Sequence, residues 1–586
     1  MQSPREALSP PHEHRFSAGD RIAPHSPLSV GLRRLTVAAA VLLCAAYVIY
    51  FAQLTSLPLQ DFPNHLARAR IIDDLLFNGG AHFGGQYTVQ LAPTPYVLHD
   101  LVLATLIHVF GTTAAAAVFI GIVLLSLPCA LLFYMRVTGI SPRTQLAVLV
   151  LSLFLSTDWF FLMGFLAFRL AVALVVLGLA MAESVRSRWS LMRYAMYVAV
   201  LIAGYLTHFS APVFFLVVIS ISAATRLILR TSTLEREAQL VLPVVALIAL
   251  HVAFPYNAPG PGQPDSYAYD AGRLSDKLFY WSYEFGRFGG RMSLPLMLML
   301  ALCVLFGIWR ALRPAFLKSP LVVENLLIAA AFVGVYILLP RDYADAAYVD
   351  VRALSMITLF TLITSAWLSH SVGRGGYDNL AVRAFVLLVV AMNLGWVALR
   401  LKPLDHWMSR YREIVAAAPM RARVLTVSTQ GKIGSFYPFV HAGSFLVLDR
   451  EAMMPYLFSG NGGDPMRFFF YVNRPYKPHE GWYFDQLKWR EAVPATYSVL
   501  GERYTWRFQY SDRDRVWEPA TMAPVEWTRV ACDYEWLLIA KPYDAQLIGV
   551  RTTRSKENEA AALMAIDKGE CRPAASQRTV KLRSEH

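Results

Sequence analysis

The chain has 586 residues, of which 56% are hydrophobic and 16% charged, with 54 Lys and Arg against 41 Asp and Glu for a formal charge of +13. A soluble globular chain is about 25% charged, and no single water-facing core absorbs apolar residues blocked into runs like these, so lipid is the solvent for much of the chain. The positive balance does not indicate nucleic acid, since no reading motif or basic stripe with aromatics is present; the arginines gather in loops between apolar runs, as cytoplasmic loops facing anionic lipid do.

Residues 1–33, rich in Pro, Ser, His and Arg, read as a disordered cytoplasmic tail. The apolar run from Leu35 to Phe51 follows Arg33 and Arg34. It is long for a signal-peptide core and lacks a small-x-small cleavage site, so it reads as a retained first span. A first outer loop, 53–112, comes next. Within it Pro63 suits a helical first turn with Asp61 or Phe62 near the cap. Leu66, Ile71, Ile72, Leu75 and Leu76 recur at helical spacing, which predicts an amphipathic helix lying on the outer surface, with Asp73 and Asp74 on its solvated face.

The run from Tyr96 to Phe110 contains His99, Asp100 and His108, and whether it crosses sets the side of everything after it. If it does not cross, the loops carrying Arg136 and Arg143, Arg186, Arg188 and Arg193, Arg226, Arg230 and Arg236, Arg310, Arg313 and Lys318, and Arg374 and Arg383 all share the side of the N-terminal tail. Residues 92–111 are therefore expected to lie in the outer interface or to re-enter. Eleven spans follow, near 35–52, 113–135, 144–157, 160–183, 191–206, 209–226, 238–254, 292–309, 320–339, 353–370 and 381–400, with the N-terminus inside and the C-terminus outside.

The tail 401–586 is richer in charge, Tyr and Trp. A helix is expected over 405–417, and Val424–Ser428, Phe445–Asp449 and Trp536–Ala540 read as strands of a mixed α/β domain. Cys44, Cys129 and Cys303 lie in apolar runs; Cys532 and Cys571 are placed to pair if that domain is extracytoplasmic. The chain carries no P-loop, dinucleotide fingerprint, HExxH or zinc spacing.

Several polar residues stand where chemistry needs them. Asp61 falls near the membrane plane, with His65 one helical turn on. Asp158 occupies a tight outer turn before Trp159-Phe160-Phe161. Arg169 sits inside an apolar run, where a charge needs a partner or a wet cavity. His208 opens the sixth span. Lys277 lies in an aromatic-rich outer loop, 255–291, suited to covering a site. Arg341 and Arg352 flank the loop 340–352, where a lipid phosphate would lie.

The layout resembles the GT-C superfamily, multi-spanning glycosyltransferases that use polyprenyl-phosphate-linked sugars. The features that carry the likeness are Asp61 at the start of a long first outer loop, the helix after it, the interfacial run Pro93–Gly111 and a soluble C-terminal domain. Many members have two adjacent acids; here Asp61 is followed by Phe62. The resemblance implies an inner-membrane enzyme that moves a sugar to an extracytoplasmic glycan, lipid or protein acceptor with inversion. It makes Asp61 the general base, with His65 and Asp158 beside it in the catalytic set, and Arg169, His208, Lys277, Arg341 and Arg352 candidates to hold substrate. No cofactor is implied, and a divalent cation is left open. Two other readings stay open: a transporter or flippase for lipid-linked sugar, and a non-catalytic assembly protein of an envelope polysaccharide system.

Overall fold

The computed structural model describes residues 27–84, 87–89, 95–253, 277, 319–340, 348–371, 380–422, 424–428, 438, 441–452 and 457, and strands within 470–581. The helices in chain order are α1 (Pro27–Ala52), α2 (Phe62–Phe77), α3 (Val97–Phe110), α4 (Thr112–Val137), α5 (Pro142–Ser156), α6 (Trp159–Leu162), α7 (Leu166–Ser187), α8 (Leu191–Thr207), α9 (Ser210–Ile228), α10 (Leu234–Ala253), α11 (Pro320–Leu338), α12 (Arg352–Ser371), α13 (Leu380–Ala416) and α14 (Phe445–Arg450). Ten of the eleven expected spans coincide with one of these; 292–309 lies outside the described residues. Among the described residues seven helices are long and apolar enough to cross a membrane, and α5 and α8 are apolar but shorter. The chain is thus a helical membrane protein.

The expected span 160–183 is interrupted. The single turn α6 stops at Met163, Gly164 takes φ +77°, and α7 restarts at Leu166. The expected boundary at residue 400 is also absent, because α13 runs unbroken from Leu380 to Ala416 with Pro403 inside it. The composition changes there without breaking the helix. Asn393 donates to the Tyr47 hydroxyl (2.7 Å) and to Thr157 Oγ1 (3.2 Å), tying the first half of α13 to α1 and to the turn after α5. In the second half, Asp405 accepts from Thr55 N (3.0 Å) and Ser56 N (2.7 Å) in the segment after α1. Arg412 pairs with Asp449 of α14 at 2.5 Å, lies over the Phe445 ring and donates to the Thr55 carbonyl.

Helix α2 is not laid on a surface: twelve of its sixteen residues are buried. Asp73 and Asp74, expected on a solvated face, are buried as well. Arg70 and His108 sit on Asp73, and Asp74 accepts the backbone N–H groups of His82 and Phe83, so buried polar groups find local partners. At fourteen residues α3 is too short to span about 30 Å of hydrocarbon, in keeping with a segment that does not cross.

Beyond α13, β2 (Val424–Ser428) pairs in parallel with β7 (Trp536–Lys541), which continues antiparallel to β8 (Asp544–Gly549) and β9 (Thr579–Lys581). The strands β4 (Ala495–Ser498), β5 (Thr505–Ser511) and β6 (Val516–Thr521) form an antiparallel sheet, and β1 (Tyr87–Val89) pairs with β3 (Phe470–Val472). Two of the three expected strands are present. The third, Phe445–Asp449, is the helix α14, since periodicity does not separate helix from strand in a short apolar run. Cys532 and Cys571 lie outside the described residues.

Candidate functional site

Asp61 occupies the N-cap position of α2, with Pro63 at the second helical position, yet its carboxylate makes no capping hydrogen bond. Its backbone is clamped instead against the α6 turn: Gln60 N donates to the Leu162 carbonyl (3.1 Å) and Asp61 N to that of Met163 (3.0 Å). Gly164 makes this approach possible, because a Cβ there would stand 2.6 Å from Phe62 N and 2.7 Å from Asp61 N. Non-glycine residues with positive φ frame the same region, at Leu57 (+41°), Tyr96 (+76°) and Tyr348 (+60°). Such conformations persist where surrounding packing over-determines them, often around functional sites.

The freed carboxylate is 12% exposed. Gln60 Nε2 donates to Oδ1 at 3.2 Å, and His441 Nε2 stands 3.5 Å from the same oxygen. Asn64 Nδ2 donates to His441 Nδ1 at 3.1 Å, so the neutral imidazole carries its proton on Nε2, facing Asp61. Burial raises Asp61 from 3.8 to about 7, against the pull of the Gln60 hydrogen bond and the Arg352 charge. Burial alone lowers His441 to about 3. A carboxylate near neutrality beside imidazoles held neutral is suited to accept a proton.

His65 turns toward Arg68, whose Nη2 donates to its Nδ1 at 3.2 Å, and its ring stands edge-on to His99 with centroids 5.1 Å apart. Burial, then Arg68, then the neighbouring histidines hold His65 well below its usual range. Arg68 also pairs with Asp100 at 2.5 Å, and His99 Nδ1 lies 3.0 Å from that carboxylate. His65, His99 and Asp100 are close enough together to hold a metal ion. The fit is poor, however, because the Arg68 guanidinium already contacts both His65 Nδ1 and Asp100 Oδ1 and supplies the positive charge.

His208 Nδ1 accepts from Ser210 N at 3.1 Å, and its ring stacks on Phe209 and meets Tyr96 edge-on. Burial and the Arg352 charge keep it well below the ordinary histidine range. The Arg352 guanidinium lies 4.7 Å from the centre of the Phe209 ring, with Phe165 and Phe168 within 6 Å. Asp61, His65, His208 and Arg352 are all buried and interact electrostatically in a chain, Asp61 with Arg352, Arg352 with His208 and His208 with His65.

Asp158 and Arg169 form a separate layer. Arg169 Nη1 binds Asp158 Oδ2 at 2.7 Å and its Nη2 binds the Leu155 carbonyl, while Asp158 caps α6 through Phe161 N. Ser355, three residues after Arg352, donates to the same carboxylate at 3.3 Å. The charge inside the span has thus found its partner across the α6 turn. Arg169→Met alone is expected to destabilise by about 3–5 kcal/mol by stranding Asp158; adding Asp158→Asn should recover most of that, read from thermal unfolding in detergent. A double variant no more stable than the single one would show that the pair is not what holds the turn.

Lys277 caps α11, donating to the carbonyls of Tyr336 (2.8 Å), Ile337 (3.1 Å) and Leu339 (2.7 Å), and it lies 3.3 Å from Asp350. Arg341 and the rest of loop 255–291 lie outside the described residues. Sequence reasoning missed His441, which has no local signal because it meets Asn64 across 377 positions. It also missed the Arg68–Asp100–His99 chain, for which a charge inside an apolar run was the available sign. Compared with family models, curated proteins and solved structures, the chain matches none of them.

Proposed function

We propose that the chain is a membrane glycosyltransferase of the GT-C type, taking sugar from a polyprenyl-phosphate donor on the extracytoplasmic side of the inner membrane. The observation that carries the reading is that Asp61, at a helix N-cap, leaves the cap unmade and holds a carboxylate raised toward neutrality within electrostatic reach of the buried Arg352. The acceptor hydroxyl attacks the anomeric carbon while Asp61 takes its proton. The carbon–oxygen bond to phosphate breaks, phosphate leaves with the electron pair beside Arg352, and the anomeric configuration inverts. His441 orients Asp61; His65 and His208 border the site; Asp158 with Arg169 holds the α6 turn against it. Eleven spans, a cytoplasmic N-terminus and an extracytoplasmic α/β domain after α13 complete the reading.

The test is retention of a panel of polyprenyl-phosphate sugars in nanodiscs, read by native mass spectrometry, with turnover on adding candidate glycan, lipid or protein acceptors. A donor bound by the wild type and lost in Arg352→Gln supports the reading. No retained donor across a broad panel sinks it. A second reading, a flippase for the same lipid-linked sugar, draws support from the buried chain of Glu and Arg between α7, α9, α10 and α11; it is favoured if donor binds and crosses without covalent change.

A further inference from the structure

His65 and Arg68 lie three residues apart on α2 and share a face; the first turn of α3 supplies Asp100, with His99 beside it. All four side chains are buried. One ligand atom from each of His65, His99 and Asp100 lies within 4.8 Å of the other two. Two imidazoles and a carboxylate are a donor set that zinc sites use. Arg68 Nη2 stands 2.5 Å from Asp100 Oδ1 and 3.2 Å from His65 Nδ1, while His99 Nδ1 is 3.0 Å from the same Asp100 oxygen. One guanidinium nitrogen therefore bridges ligand atoms of both helices.

That nitrogen supplies what a bound cation would otherwise supply. A buried carboxylate needs a positive partner, and a guanidinium stays protonated and is tethered to the chain. Because Nη2 donates to His65 Nδ1, the neutral His65 ring keeps its own proton on Nε2 and donates there. Two further buried atoms of the cluster, His99 Nε2 and Asp100 Oδ2, have no hydrogen-bond partner among the described residues. The cluster thus offers more ligand atoms than Arg68 uses.

We propose that Arg68 is a built-in cation in place of a divalent metal: with it the cluster works metal-free, and without it His65, His99 and Asp100 bind one Zn2+. Within the sugar-transfer reading, on which this part alone rests, Arg68 is a positioning residue. It fixes the His65 tautomer and ties α2 to α3, so transfer needs no divalent cation at this cluster.

The test compares the purified full-length wild type, Arg68→Ala and Arg68→Ala/Asp100→Asn in nanodiscs, stripped with EDTA and re-equilibrated with Zn2+ or Co2+. Bound metal per chain, the visible absorption of Co2+ and the thermal midpoint are read. The wild type should bind no metal and keep its midpoint in EDTA. Arg68→Ala should take up one Zn2+ and gain midpoint with it, and the added Asp100→Asn should abolish both. Arg68→His, which puts a third imidazole in place of the guanidinium, is the second variant and should bind Zn2+ as well. Two results overturn the proposal: a wild type holding a stoichiometric divalent ion that Asp100→Asn removes, or no metal bound by either Arg68→Ala or Arg68→His. Metal content is read without turnover, so a failure of the sugar-transfer reading leaves this outcome separately visible.

Discussion

Asp61→Asn should lower turnover roughly a hundred- to ten-thousand-fold, the range a positioned general base contributes, while donor binding persists because Asn keeps the shape and the Gln60 contact. In the wild type the rate should climb as pH rises through about 7, where the buried carboxyl ionises. Stability should move the other way. The unfolded carboxyl ionises near 3.8 and the folded one near 7, so the folded state binds the extra proton between those values. Wild-type stability contributed by this group is then intact below about pH 4, declines through the window and stays low above 7. The penalty is at most about 4 kcal/mol at 1.36 kcal/mol per unit, and less in practice because the side chain keeps 12% of its surface exposed. Asp61→Asn removes the titration, so its melting midpoint should exceed that of the wild type at pH 8 and converge with it near pH 4. Full activity in Asp61→Asn, or a stability difference that does not change with pH, would refute the assignment.

Gly164→Ala should be among the most damaging single-methyl additions in the chain. At φ +77° a left-handed conformation costs a non-glycine residue about 1–2 kcal/mol. The new Cβ would also meet Phe62 N at 2.6 Å and Asp61 N at 2.7 Å, backbone atoms that cannot rotate away. Relief requires the Asp61 segment to separate from the α6 turn, breaking the hydrogen bonds from Gln60 N and Asp61 N. A total loss of about 3 kcal/mol or more is expected, with activity falling even in molecules that remain folded. Gly139→Ala is the control: it has positive φ and open space where the added methyl would stand, so it should show the conformational cost alone. Equal melting midpoints for the two variants would show that the approach at Gly164 is not constraining.

Apolar blocks revealed most of the bundle because lipid demands runs of nearly fixed length, and ten helices stand where those runs predict. Patterning was less informative wherever burial by protein replaced burial by lipid. Helix α2 read as a surface helix because Asp73 and Asp74 look solvated, yet each meets a partner brought by the fold: His108 for Asp73, the backbone of 82–83 for Asp74. Arg186 and Arg226 counted as loop charges for the same reason, since Glu237 and Glu324, which hold them inside the bundle, lie 51 and 98 positions away. Asp61 stood out by position, whereas its contact with His441 depends on a return of the chain from beyond α13 that no local spacing encodes.

The length of α13 has a mechanical consequence. At 1.5 Å per residue its 37 residues make a rod of about 55 Å, nearly twice the ~30 Å of hydrocarbon. Asn393 fixes the first half to Tyr47 and Thr157, while Asp405 and Arg412 grip Thr55, Ser56 and Asp449 on the second half. A tilt of the last span, such as a thinner or thicker bilayer imposes, is therefore carried by a lever into the segment that leads to Asp61. Bilayer thickness is therefore expected to bear on the position of the 55–61 segment.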